Sequence, residues 1–150
     1  MPDPAPEFTT HSATIVLTNN VTLGWNNEPT TLTNVTFEHA KMYLGMPGGG
    51  EGVTVDQWEP GVEASLPITF QTGFLAPDDG WQLQFTDSTG AYWTTGGWQI
   101  ANCDESNAGQ TVSLSVTSWY WGGDDNQPGQ YQSGFTLNDS TVAAALQGGT

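Results

Sequence analysis

The chain has almost no positive charge: Lys41 is its one basic residue, set against sixteen acidic ones in 150 residues, and arginine is missing altogether. Without a guanidinium there is no bidentate fork for phosphate or carboxylate. A formal charge of −15 also repels nucleic acid, nucleotides and anionic membrane surfaces. Cys103 is the single cysteine, so no disulfide can form within the chain, and the residue reads as a small buried hydrophobe. No run approaches 18 apolar residues, and Met1–Glu7 has neither a basic nor an apolar segment of the kind a secretion signal needs. An extracellular or cell-surface setting is nevertheless favoured. Partners that survive these exclusions are neutral or cationic ligands, a metal ion, or further copies of the same chain.

What is present is burial capacity. Seven Trp, six Phe and four Tyr supply large apolar units, while Gly, Thr, Asn, Gln and Ser provide polarity without charge. A chain of this length buries roughly 70% of its unfolded surface, enough for one core. Residues 1–10 read as an extended arm because Pro2, Pro4 and Pro6 favour polyproline II, and 11–150 as one domain.

Hydrophobic alternation with a period of two dominates that domain. Ala13, Ile15 and Leu17 share one face over residues 12–18, and Val35 with Phe37 share another over 31–38. Ala64, Leu66, Ile68 and Phe70 alternate over 62–70, where Pro67 has no donor for a ladder and so requires an edge or a bulge. Trp81, Leu83 and Phe85, the turn Asp87–Gly90 and then 91–95 predict a hairpin. Val112, Leu114 and Val116 form a further strand, and 131–137 a weaker one. Gly45–Gly52, with three successive glycines, reads as a crossover or functional loop. At the end, Asn138 or Ser140 would cap a short helix through Ala143–Leu146. The expected fold is all-β, an antiparallel β-sandwich of seven or eight strands, with a barrel as the second choice.

The middle of the chain also carries a family resemblance. Thr72-Gly73-Phe74, Gly80-Trp81-Gln82-Leu83-Gln84-Phe85, Gly90-Ala91-Tyr92-Trp93, Asn102-Cys103 and the segment Asn107–Val116 resemble the "up-regulated in daf-2" domain family over about residues 60–117. The resemblance implies a small β-sandwich without a catalytic role, related in spirit to aegerolysin-like lipid-binding proteins. It carries over no functional residue. Gln82, where the family commonly has an aromatic, and the tail after Ser118 depart from the pattern.

Chemistry-bearing patterns are sparse. His39 is the one plausible base, Cys103 its one conceivable nucleophile, and no Gly-x-Ser-x-Gly elbow occurs. Sixteen acids guarantee pairs at glycosidase-like separations, so such pairs identify nothing, and an enzyme is not expected. Asp124, Asp125 and Asn126, with Asp78-Asp79 and Asp104-Glu105, put hard oxygen ligands on turns and make Ca²⁺ the candidate ion. None of these segments fits the EF-hand spacing. Trp119-Tyr120-Trp121 cannot all face inward from one strand, so at least one ring meets solvent or a partner. Trp25 and Trp58 sit at loop edges and join them as candidate binding or interface residues. Three classes follow: a self-assembling structural subunit, favoured by the Pro-rich arm and uncharged polar faces; a module binding neutral glycan or neutral lipid through exposed Trp and Tyr; and, last, a glycoside hydrolase.

Overall fold

In a computed structural model of the chain, residues 8–24, 26–44, 46–121 and 130–146 are described. They form twelve strands: β1 (Phe8–Asn20), β2 (Thr22–Leu23), β3 (Glu28–Pro29), β4 (Leu32–Tyr43), β5 (Met46–Trp58), β6 (Glu63–Gly73), β7 (Asp78–Thr86), β8 (Tyr92–Thr94), β9 (Gln99–Ile100), β10 (Thr111–Trp121), β11 (Gln130–Leu137) and β12 (Ser140–Leu146). One turn of 3-10 helix, Glu105–Asn107, precedes β10. Ten strands make a single sheet in the order β5-β4-β7-β8-β12-β11-β10-β1-β6, with β9 also on β7, while β2 and β3 pair separately. The two ends of that order, β5 and β6, lie beside each other, so the sheet nearly closes around its own core. The all-β class is as expected, in a sandwich- or barrel-like form, but the strands number twelve rather than seven or eight. One pair, β1 with β10, is parallel in an otherwise antiparallel sheet.

The alternating residues read from the sequence do supply the core: Ile15, Leu17, Val35, Phe37, Leu66, Ile68, Phe70, Trp81, Leu83 and Phe85 are all buried. Phe37 stacks on Trp81 at a ring separation of 5.5 Å, and Phe135 meets both rings edge-on. The hairpin expected around Asp87–Gly90 forms, with Phe85 opposite Trp93. β1 starts at Phe8, so the last three residues assigned to the arm already pair with β6; residues 1–7 lie outside those described.

Two sequence expectations are overturned. Ser140–Leu146 is strand β12, and no C-terminal helix forms among the described residues. Its alternation of buried Val142 and Ala144 with Thr141 and Ala143 is masked in the sequence by the alanines. Pairing to β11 along Ser140–Ala145 and to β8 at Ala145 and Leu146 supplies ladder partners, whereas a helix this short cannot repay its nucleation. The glycine-rich run is likewise a strand. Met46–Trp58 pairs with β4 from a tight connection after Tyr43. Glycine is required there, since a Cβ on Gly50 would collide with the carbonyl oxygen of His39.

Pro67 sits where the sequence requires, on an edge. Thr14, its neighbour on β1, directs its N–H away to Gln110 O at 3.0 Å, so Pro67 faces the unpaired side of β6, toward β5. The missing donor interrupts any ladder between β5 and β6.

Candidate functional site

Two polar regions stand apart from the apolar core. The first lies at the seam between β5 and β6. On β4, Val35, Phe37 and His39 share the inward face, which carries the imidazole against Trp81 at a ring separation of 4.5 Å. Register places Glu51 directly across from His39 on β5, and Asp79 two residue pairs further along on β7, opposite Lys41. His39 Nδ1 lies 2.6 Å from Glu51 Oε1, and Nε2 lies 2.7 Å from Asp79 Oδ1. An ionised carboxylate only accepts, so a ring carrying protons on both nitrogens satisfies both contacts. The other carboxylate oxygens are also engaged. Glu51 Oε2 accepts from Thr69 N at 2.9 Å across the seam, and Asp79 Oδ2 accepts from Cys103 N at 2.9 Å. Lys41 Nζ donates to Thr69 Oγ1 at 2.7 Å. Glu51 thus supplies by side chain the acceptor that β5 does not offer by ladder.

This cluster disposes of the nucleophile arrangement considered from sequence. Both nitrogens of His39 are occupied and its side chain is fully buried. Burial, with the charges of Asp79 and Asp104, pushes the Cys103 thiol up to about 12, so no thiolate forms at ordinary pH. Cys103 is a free, buried thiol, as its small-hydrophobe reading expects.

The second region is the outer face of β10, β11 and β12. Trp119 stands opposite Gln132, and its Nε1 donates to Gln132 Oε1 at 3.1 Å, which fixes the indole. Gly134 and Ala143 leave a low floor beside it, and Thr117, Thr136 and Thr141 border a groove of about 420 Å³. Among the described residues, none that line it is charged. A second shallow groove, of about 530 Å³, runs over Ser12, Thr14, Thr69 and Thr111 but has Glu51 on its rim.

The remaining site expectations divide. Tyr120 is exposed and rests near Tyr131, their rings 5.0 Å apart. Trp58 is a correction: it is buried, closes the end of β5, and donates from Nε1 to Val62 O at 2.7 Å. Loop-edge position misled because the 59–62 connection folds back over the ring. Trp25, Asp124, Asp125 and Asn126 lie outside the described residues, as does the side chain of Trp121. Asp78, Asp79, Asp104 and Glu105 do border one groove, with Asn102. Several of their oxygens serve the fold itself: Asp79 holds His39 and Cys103 N, Asp78 Oδ1 accepts from Asn102 Nδ2 at 3.0 Å, and Asp104 Oδ1 caps the 3-10 turn through Ser106 N at 2.9 Å. No group of three or more His, Cys, Asp or Glu able to hold a metal occurs among the described residues.

Sequence reasoning missed Glu51 and Asp79 as partners of His39. Their signal was register. Once Tyr43 and Met46 are paired in a tight hairpin, His39 and Glu51 fall opposite each other. A carboxylate with four donors was missed as well. Asp87 Oδ1 accepts from Thr89 N at 2.8 Å, Thr89 Oγ1 at 2.6 Å and Ala91 N at 3.1 Å, and Oδ2 accepts from Trp93 Nε1 at 2.8 Å. Burial alone would raise this carboxyl, but the bonds from Thr89, Trp93 and Ala91 together outweigh it and hold it below its ordinary value.

No protein-family model and no curated protein matches the chain.

Proposed function

We propose that this chain is a non-enzymatic binding protein that takes a neutral glycan on the outer face of β10, β11 and β12. The observation that carries the reading is the Trp119 groove. In a chain of charge −15 it is lined by an indole, an amide, three hydroxyls and small residues, with no charged side chain among those described. An anchored indole offers an apolar face to sugar C–H groups, and the Thr and Gln side chains offer donors and acceptors for hydroxyls. The absence of local charge suits a ligand that carries none. Support for catalysis is weak, because His39 has no free nitrogen and Cys103 remains a thiol.

Calorimetric titration with neutral oligosaccharides tests the proposal. Trp119→Ala should weaken binding about tenfold or more, roughly 1.4 kcal/mol, while leaving the melting temperature nearly unchanged. A panel of neutral glycans that gives no heat and no shift with the native protein sinks it. Self-association, the first expectation from sequence, drew on the Pro-rich arm, of which residues 1–7 lie outside those described. Sedimentation at low and high salt distinguishes it, because screening would strengthen contacts between like-charged copies.

A further inference from the structure

Turn chemistry singles out one end of the molecule. Six described residues other than glycine have a left-handed backbone: Asn27, Asn34, Leu44, Leu75, Asn138 and Asp139. Asn and Asp tolerate that region because their short polar side chains bond locally, and four of the six follow the rule. Leu44, at φ 53°, and Leu75, at φ 66°, break it. Nothing in the core explains them, since Leu44 is fully exposed and Leu75 is 67% exposed. Both sit at the same end. Met42 pairs with Asp78, so the connection after β4 and the loop before β7 project together. Met46, 69% exposed, and Phe74, 74% exposed, join them, with Tyr43 half out of the surface. Five large apolar side chains therefore protrude from two neighbouring connections and the strand ends that flank them, two of them at positions where the backbone favours Gly or Asn.

We infer that this end inserts into the surface of a zwitterionic phospholipid bilayer, with the two leucines, Phe74 and Met46 as the inserted groups. Two features of the chain choose that occupant. Its charge of −15, with Asp78, Asp104 and Glu105 close behind the 74–77 loop, opposes both an anionic membrane and a second copy. The patch, five large side chains, is also too small for a stable protein interface, which takes roughly 20–30 residues a side. A bilayer surface demands no matching shape, and loop tips reach its acyl boundary, about 5–10 Å down, with polar strands left outside. The strands are suited to that division. Ser12, Thr14, Thr69 and Thr111 face outward, so contact stays confined to the tip. The surface is distinct from the Trp119 groove, and either proposal stands without the other.

The test is flotation with phosphatidylcholine vesicles, with vesicles containing phosphatidylserine as a second arm, read alongside melting temperature and sedimentation velocity. Wild type should float with phosphatidylcholine and less with phosphatidylserine. The double variant Leu44→Asn/Leu75→Asn should bind at least about tenfold more weakly, yet melt about 2–4 °C higher because each turn gains a residue suited to it. Trp119→Ala should float as wild type does. The inference is overturned if wild type stays out of the phosphatidylcholine fraction, or if the double variant floats equally well. It is overturned too if the double variant merely abolishes a dimer, which would assign the patch to a second copy. A double variant that melts lower removes the argument from turn geometry.

Discussion

The seam cluster and the Trp119 groove are both polar regions on one sheet, and they treat charge in opposite ways. At the seam, two carboxylates and an imidazole are drawn into the protein, where each oxygen and nitrogen finds a partner within 2.9 Å. On the outer face of β10, β11 and β12, an equally polar surface is built with hydroxyls and an amide alone. Buried charge is tolerated when its contacts are complete, and it then acts as a crosslink between strands. Exposed polarity without charge, on a chain this acidic, leaves a place a neutral molecule can approach. The lesson is that in a strongly charged protein the informative surface is the one from which charge is missing.

Breaking the seam gives the largest expected effect. His39→Leu leaves Asp79 buried without its counterpart and should lower unfolding stability by about 3–5 kcal/mol, measured in urea. A loss below about 1 kcal/mol would show that the cluster does not crosslink the strands.

Asp87 extends the comparison to a second buried carboxylate, this one served by hydrogen-bond donors rather than by an imidazole. Asp87→Ala orphans those donors and should cost about 2–3 kcal/mol. Its acid dependence has a definite sign. A carboxyl held below its ordinary value stabilises the fold fully above the unfolded value of about 3.9, and that contribution disappears as pH falls through the lower folded value. Denaturation followed from pH 6 downward should therefore be less steep in Asp87→Asn than in wild type. Equal slopes would mean that the carboxylate is not preferentially stabilised in the folded protein.

The smallest effect on stability, and the sharpest on binding, comes from charging the neutral face. Thr136→Asp, at an exposed position on the groove border, should change stability by no more than about 0.5 kcal/mol while abolishing glycan binding. Retained affinity would dissociate the groove from the ligand.

The strands that alternate apolar and polar residues were legible, and Pro67 announced its edge, because local sterics and burial act on neighbouring residues. An exposed ring in 119–121 was legible too, since three consecutive rings cannot all be interior, and Tyr120 faces out. Less was readable where the outcome depended on distant partners. β12 hid behind alanines that are equally at home in a helix, and only β11 and β8 decide the matter. The glycines of β5 read as slack, although at Gly50 one is demanded by the His39–Ala40 backbone of β4. His39 itself was noticed, but its partners come from two other strands, and no spacing along the chain foretells that meeting.

The parallel pairing of β1 with β10 has a kinetic consequence. Thr14 meets Thr111, a partner made about a hundred residues later, and β1 holds its place between β6 and β10 only once both exist. Contacts so far apart in the chain slow barrier crossing toward milliseconds or seconds, compared with a helical bundle of similar size. During synthesis the first long strand must wait, half partnered, until the last third has emerged. The surplus of negative charge then has a second use, keeping unfinished chains from finding one another before each has found itself.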